Sequence, residues 1–297
     1  RVEAVLNSLS HRPVQPLPAN FAIEDVPVRK AEMPARAKAG VPLFVPNLGL
    51  YTPELTRYFA QNGADARMLP APDEHAVGSV HMHYDAACDL LVAVGSGVIN
   101  DIGKILAAAA RIPSIVVGTA PSMDGYASGT SSVIRDNLKV SLNSHCPDVV
   151  IGDLNVLCRA PAHMIAAGIG DMIAKYISIA EWRIGHLVTG EYYCPAVADL
   201  VNASLGKVMS HIDGVPRRDP AAIAAVMEGM VLSGIAANYA GVSRPASGME
   251  HYFSHVWDMR NVEFGTPADL HGIQCGIGTV DALRVWEAIR KLHPDRE

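Results

Sequence analysis

The chain has 297 residues, 49% hydrophobic and 18% charged, which is enough for a sizeable core spread over two domains of ordinary size. A net charge of −6, with no run of Lys or Arg, excludes a nucleic-acid binder held by phosphate contacts. No stretch of about 18 uninterrupted apolar residues suggests a membrane span, because Gly103, Lys104 and Arg111 punctuate the apolar segment from Ile102 to Ile112. The first residues lack the charged, apolar, small-residue order of a signal peptide. Cys88, Cys146, Cys158, Cys194 and Cys275 are odd in number, widely spaced and free of any Cys-x-x-Cys, the pattern of free thiols in a reducing cytoplasm.

Pro13, Pro16, Pro18, Pro27 and Pro34 predict an irregular lead-in over about the first 40 residues. Val41 to Val45 reads as a buried strand ending at Pro46-Asn47-Leu48-Gly49. Thr52 to Asn62 has helical spacing, and Ala64 to Leu69 is a second strand. Leu90 to Val94 is a third strand, followed by a helix from about Ile99 to Ala110. Ser114 to Val117 and Val149 to Ile151 complete the apolar strands. Strands alternating with helices imply a mostly parallel sheet covered on both faces. Beyond about residue 160 the spacing turns helical over Met164 to Arg183, Tyr192 to Ile212, Pro220 to Asn238 and Thr279 to Lys291. The expected organisation is an α/β domain over residues 1–157 and an all-helical domain over 158–297.

Three segments carry chemistry. The first is Gly95-Ser96-Gly97-Val98-Ile99-Asn100-Asp101, which leaves a strand and opens a helix. Its glycines allow a tight turn, and the free N–H groups of the helix start would suit a pyrophosphate. A plain strand-to-helix turn could carry the same Gly-x-Gly, and Gly103 stands at the wrong spacing for the usual Gly-x-Gly-x-x-Gly. The second is the hydroxyl-rich loop from Gly118 to Ser132, with Asp124 as its acid, at the carboxyl edge where doubly wound folds bind ligands.

The third is a scattered donor set. Asp171 sits in an early turn of an apolar helix, His251 and His255 stand four apart on one helix face, and His271 opens another helix. One Asp and two His with open positions would make a catalytic rather than a structural metal site, acting as a Lewis acid on a carbonyl or alkoxide oxygen. His81 and His83 look like ligands but lie outside any glycine-bounded helix start, and the remaining histidines read as ordinary surface or core.

Taken together these segments resemble the iron-containing alcohol dehydrogenase superfamily, and within it the glycerol-1-phosphate branch. Gly95 to Asp101 matches the superfamily's Gly-(Gly/Ser)-Gly-x-x-x-Asp loop. The branch's Thr-Ala-Pro-Ser-Met-Asp-Gly-Tyr-Ala-Ser runs from Thr119 to Ser128, and its Ala-Gly-x-Gly-Asp from Ala167 to Asp171. Gly190 to Pro195 and Ser243 to Gly248 fit the same branch, so the likeness runs from about Val41 to Leu283.

The resemblance implies a dehydroquinate synthase-like fold with an N-terminal nucleotide-binding domain and a C-terminal helical domain. It implies NAD(P)H-dependent reduction of dihydroxyacetone phosphate to sn-glycerol 1-phosphate, in a homo-oligomer acting in phospholipid biosynthesis. Asp171, His251 and His271 would hold a divalent metal, zinc ahead of nickel or iron. Gly95, Ser96, Gly97, Val98, Ile99, Thr119, Ala120, Pro121, Ser122 and Ser128 would line the dinucleotide. Asp124, Asp171 and His255 would face the substrate as catalytic groups. Lys175 replaces a fourth His of some relatives, and with Arg244 it would attract the substrate phosphate. Asn47 stands where NAD-preferring relatives carry an Asp, so NADP should be accepted as well. Relatives continue by several helices beyond the one opened by His271, whereas this sequence ends at Glu297. A missing wall of the helical domain would weaken folding or substrate closure. The alternatives are a glycerol dehydrogenase acting on the unphosphorylated polyol, a lyase of the dehydroquinate synthase kind, against which Asp171 in place of Glu argues, and a dinucleotide-binding homologue without turnover.

Overall fold

A computed structural model describes residues 76–78, 81, 87–136 and 138–291. The expected elements at Val41–Val45, Thr52–Asn62 and Ala64–Leu69, and Asn47 with them, lie outside these residues.

Strands β1 (Leu91–Gly95), β2 (Ser114–Gly118) and β5 (Val149–Gly152) form a parallel sheet in the order β1-β2-β5. All five residues of β2, Ser-Ile-Val-Val-Gly, are buried, as expected of a β-branched central strand covered on both faces. The register pairs Gly95 with Gly118 and Gly118 with Gly152. The three strands therefore end level, and the loops that follow them leave from one carboxyl edge. Helix α1 (Gly97–Ala110) crosses from β1 to β2 and buries Ile102, Leu106 and Ala107. Gly103 belongs to this packing, because a Cβ there would come 2.8 Å from the Cβ of Ala93. Arg111, left-handed at φ 56°, closes the helix by donating its N–H to the carbonyls of Ala107 and Ala108.

The segment read as one polar loop up to Ser132 is more structured than that. A short 3-10 turn (Asp124–Ala127) precedes β3 (Thr130–Arg135), which shares a separate two-stranded sheet with β4 (Leu138–Asn143). Ser131 and Val133 are buried while Thr130 is exposed, so the inward face of β3 is half hydroxyl, which gave it the composition of a loop.

The chain divides into two compact units. One holds Arg1–Ala120, Ser128–Asp136 and Val140–Ala160, and includes the sheet, α1 and the short helix α2 (Leu154–Leu157). The other holds Pro121–Ala127, Asn137–Lys139 and Pro161–Glu297. Its helices are α3 (Ala162–Ile173), α4 (Lys175–Thr189), α5 (Pro195–Ser210), α6 (Pro220–Ala240), α7 (Met249–Phe264) and α8 (His271–Arg290).

Met164 to Arg183, expected as one helix, is α3 and α4 joined at Ala174, whose carbonyl accepts from both Ile177 and Ser178 in a tightened turn. Pro195 at the first helical position delays α5 past Tyr192, and Asp219 caps α6 through the N–H groups of Ala221 and Ala222. Helix α6 is long and apolar enough to cross a membrane, but 56% of its apolar window is buried within the protein, as in a core helix.

Helix α8 begins at His271, two turns ahead of the expected Thr279, because Gly272, Gly276 and Gly278 hide its helical character. These glycines serve contact rather than flexibility. A Cβ on Gly170 would lie 2.1 Å from the Gly272 carbonyl oxygen, and one on Gly272 would lie 1.9 Å from that of Ala167. A Cβ on Gly276 would come within 3.0 Å of the Gly170 Cα. Helices α3 and α8 thus touch backbone to backbone. Gly272→Ala must push them apart and should destabilise the protein by about 3 kcal/mol, the upper part of the overpacking range. Gly206→Ala on exposed α5, where nothing stands within 4 Å, should be neutral or stabilising. Urea melts of the two variants check this, and equal midpoints would refute the backbone contact.

Candidate functional site

In the sheet unit, Ser96 stands in extended backbone between the end of β1 and the start of α1. A Cβ on Gly95 would come within 2.6 Å of the Ile99 side chain, so the turn is as tight as glycine allows. The first turn of α1 carries no acid, which leaves the N–H groups of Gly97, Val98 and Ile99 with an uncompensated positive end. Thr119 N–H donates to the Gly95 carbonyl at 3.1 Å and ties the two edge loops together. Buried Lys104 reaches Asp101 at 3.2 Å, the Ser128 hydroxyl at 3.1 Å and the Thr130 carbonyl. Asp101 in turn accepts the Ser132 N–H at 3.2 Å. Burial pushes the Asp101 carboxyl up from its ordinary range, with Lys104 acting against it. Ala120 is buried and belongs to the sheet unit.

Pro121 and Ser122 belong to the helical unit. The Pro121 carbonyl oxygen sits 2.0 Å from where a Cβ on Gly168 would stand, so the Asp124 turn lies directly on α3. The Asn238 amide fixes the end of that turn by donating to the Ala127 carbonyl at 2.8 Å.

Around α3 the helical unit gathers its titratable groups. Among the described residues, Asp171, His251, His271 and Cys275 place their donor atoms within 4.8 Å of one another. The Asp171 carboxylate takes the Asp124 N–H at 2.8 Å on Oδ2 and Lys175 at 2.9 Å on Oδ1, and Oδ1 lies 4.0 Å from His251 Nε2. Burial alone would raise the Asp171 carboxyl, but Lys175 and then the two imidazoles hold it well below the usual carboxylate range. Burial alone would likewise lower Lys175, but Asp124 and Asp171 lift it above the usual ammonium range.

The imidazoles are oriented from behind. His251 Nδ1 meets Glu250 Oε1 at 2.7 Å, and a carboxylate can only accept, so His251 carries its proton on Nδ1. Ser254 gives its hydroxyl proton to Gln274 Oε1 at 2.7 Å, so its oxygen accepts from His271 Nδ1 at 3.0 Å. Both rings are thereby oriented through Nδ1, with His251 Nε2 4.0 Å from Asp171 Oδ1 and His271 Nε2 3.5 Å from Cys275 Sγ, as a polar second layer orients metal-binding histidines. Burial, reinforced by His251, pushes His271 well below the ordinary imidazole range and keeps it in the neutral, ligating form. One carboxylate, two imidazole nitrogens and a thiol fit a borderline divalent ion.

The remaining expected residues separate. Asp124 joins the cluster, with Oδ2 accepting from Lys175 at 2.7 Å and from Ser233 Oγ at 2.9 Å. His255 stands at its edge, its ring centred 6.4 Å from that of His251 and 6.3 Å from that of His271. Burial, then Lys139, lowers its imidazole from the ordinary range. The expectation that Lys175 attracts a substrate phosphate is corrected here: it is fully buried, and its three donors go to Asp124, Asp171 and the Ala246 carbonyl. Arg244 is likewise spent on a bidentate pair with Glu191, at 2.8 and 2.9 Å.

Comparison with known proteins fits this geometry. Residues 49–161 match the family model described as iron-containing alcohol dehydrogenase. Over that segment the chain is similar to the iron-containing alcohol dehydrogenases. Over 222 residues it is 36% identical to a glycerol-1-phosphate dehydrogenase [NAD(P)+] of Halalkalibacterium halodurans, covering 74% of this chain and 56% of the relative. The like-named protein of Geobacillus stearothermophilus is 39% identical, with 73% and 54% covered. That of Thermococcus sibiricus is 36% identical, with 68% and 58% covered. The chain therefore spans about half the length of the curated relatives it matches. In fold it is similar to a probable glycerol dehydrogenase of Sinorhizobium meliloti, with a TM-score of 0.60 at 20% identity, covering 78% of this chain and 68% of that one.

The sequence pattern does not single out Cys275, Glu250, Ser254, Gln274 and Ser233. Cys275 could have been found, because it stands four residues after His271 on the same helix face. The others support ligands from behind, and only contact reveals that. Glu250→Gln should weaken zinc binding by about 10–100-fold, the usual effect of losing such a partner, in a competition against a chromophoric chelator. Unchanged affinity would show that Glu250 does not orient His251.

Proposed function

We propose that the protein reduces dihydroxyacetone phosphate to sn-glycerol 1-phosphate with NADH or NADPH and a divalent metal, working in the cytoplasm as a homo-oligomer. The observation that carries this reading is the meeting of Asp171, His251 and His271, each imidazole oriented through its Nδ1, beside Asp124. The names of the most similar relatives and the branch motifs from Thr119 to Ser128 and Ala167 to Asp171 support it. In this reading residues 1–157 bind the dinucleotide and residues 158–297 hold metal and substrate. The five free cysteines suit a reducing compartment.

A divalent ion on Asp171, His251 and His271, zinc ahead of nickel or iron, would supply Lewis-acid polarisation of the ketone, and the dinucleotide would supply the hydride. The chain's own residues provide position and field. Gly95 to Ile99, with Thr119 to Ser122 and Ser128, would hold the pyrophosphate and ribose, and Asn47 would leave room for a 2′-phosphate. Lys175 keeps Asp171 ionised and fixes the Asp171 and Asp124 side chains, so a role behind the carboxylates replaces its expected one at the phosphate. Asp124, whose Oδ2 is taken by Lys175 and Ser233, would offer Oδ1 to a substrate hydroxyl. His255, depressed towards its neutral form, would relay a solvent proton to the product oxygen.

The metal-reconstituted protein should oxidise NADH and NADPH with dihydroxyacetone phosphate and much more slowly with dihydroxyacetone. Turnover on the free ketone alone would move it to glycerol dehydrogenation, and turnover on neither would refute the reading. His255→Gln should lower kcat by about 100-fold or more with metal content unchanged. Wild-type turnover in that variant would remove His255 from the relay.

A further inference from the structure

We propose that Lys139 is the cation that receives the substrate's phosphate, an inference that rests on the reduction of dihydroxyacetone phosphate proposed above. Lys175 and Arg244 are committed to carboxylates, so a phosphorylated substrate needs another positive group close to Asp171, His251 and His271. Lys139, in β4, belongs to the helical unit and pairs its ammonium with Asp258 on α7. Asp258 stands three residues after His255, so the pair lies one turn along α7 from the imidazole at the edge of the cluster.

That separation suits the ester. In dihydroxyacetone phosphate only a methylene and an ester oxygen stand between the ketone carbon and the phosphorus, and a helical turn rises about 5.4 Å. A ketone held beside Asp171 and His255 therefore carries its phosphate to about the level of Asp258. Lys139 also retains capacity that Lys175 has used up. Its side chain is 22% exposed, against 0% for Lys175, and Asp258 is the one partner of its ammonium among the described residues. An ammonium has three donors.

The charge of Lys139 already reaches the cluster. After burial, it is the next influence lowering the His255 imidazole, with Asp258 opposing it. It also acts to lower His271, behind burial and His251. Asp258 gives the arrangement a sign. Its carboxylate keeps Lys139 at α7 but opposes an incoming dianion, which must share the ammonium with it. An Asn in its place would keep an oxygen that accepts from Lys139 and remove the opposing charge.

Calorimetric titration of the zinc-loaded protein, without dinucleotide, with dihydroxyacetone phosphate and with dihydroxyacetone tests this apart from turnover. Lys139→Met should weaken the phosphate ester about tenfold or more relative to the free ketone, the lower end of what a hydrogen bond to a charged group contributes. Asp258→Asn should shift the same ratio in the opposite direction. A purely structural ion pair would instead weaken both ligands together, in both variants. An unchanged ratio in Lys139→Met, or a fall in both variants, would overturn the assignment. Wild-type protein that does not prefer the ester would overturn the phosphorylated substrate and this assignment with it. Wild type and variants that prefer it equally would leave that substrate standing and remove Lys139 alone. Because Asp258→Asn predicts a gain, a folding defect in Lys139→Met does not shield the idea.

Discussion

The backbone contact between α3 and α8 is the constraint on which the helical unit's chemistry depends. Asp171 lies on α3 one residue beyond Gly170, and His271 lies on α8 one residue before Gly272. Since Gly170 and Gly272 leave no space for a Cβ, the two functional side chains diverge from a single point of closest approach. Helices separated by ordinary side chains pack about 8–10 Å apart. The closer approach of α3 and α8 sets the short Asp171 side chain and the His271 imidazole of the facing helix within one cluster. The glycines weaken each helix taken alone, by up to about 1 kcal/mol apiece relative to alanine. Their loss of helix propensity is offset by contacts that only glycine permits, and the result is a rigid base for the site rather than a flexible one.

How much of this is legible in the sequence depends on whether a feature is local. The parallel strands and the long helices could be read, because burial imposes a period on each by itself. The Gly-Ser-Gly turn and the His251 to His255 spacing could be read for the same reason. The start of α8 could not, since its glycines look like helix breakers until α3 is set against them. β3 was missed because its inward face carries Ser131, whose hydroxyl bonds Ser144 at 2.9 Å, a satisfaction that composition does not reveal. Lys175 was misread for a related reason. A lysine standing where some relatives carry a fourth His suggests a cation for the substrate phosphate, and only its three buried acceptors show that it is already committed.

The electrostatics of the cluster follow from the same enclosure. Asp124, Asp171 and Glu250 set three carboxylates against the single ammonium of Lys175, a formal excess of two negative charges in a largely buried region. Among the described residues, Glu250 Oε2 and Gln274 Nε2 find no hydrogen-bond partner. Burying ionised groups without full compensation is costly. His271, pushed well below the ordinary imidazole range by burial, does not supply that charge. A compact divalent cation of the kind proposed above would offset that excess.

That deficit ties function to stability. A protein that binds an ion in its folded state alone is stabilised by the binding itself, and metal sites assembled from distant parts of a chain have no counterpart in the unfolded state. Asp171, His251 and His271 come from three different helices, and Asp124 from a turn far earlier in sequence. An ion shared by the three proposed ligands would fasten α3, α7 and α8 to one another, relieve the charge excess that their packing creates, and hold Asp171 against the N–H of Asp124. In that reading the close helix contact and the buried charge belong together: the glycines bring the donors together at a cost in unpaired negative charge, and the proposed ion offsets it.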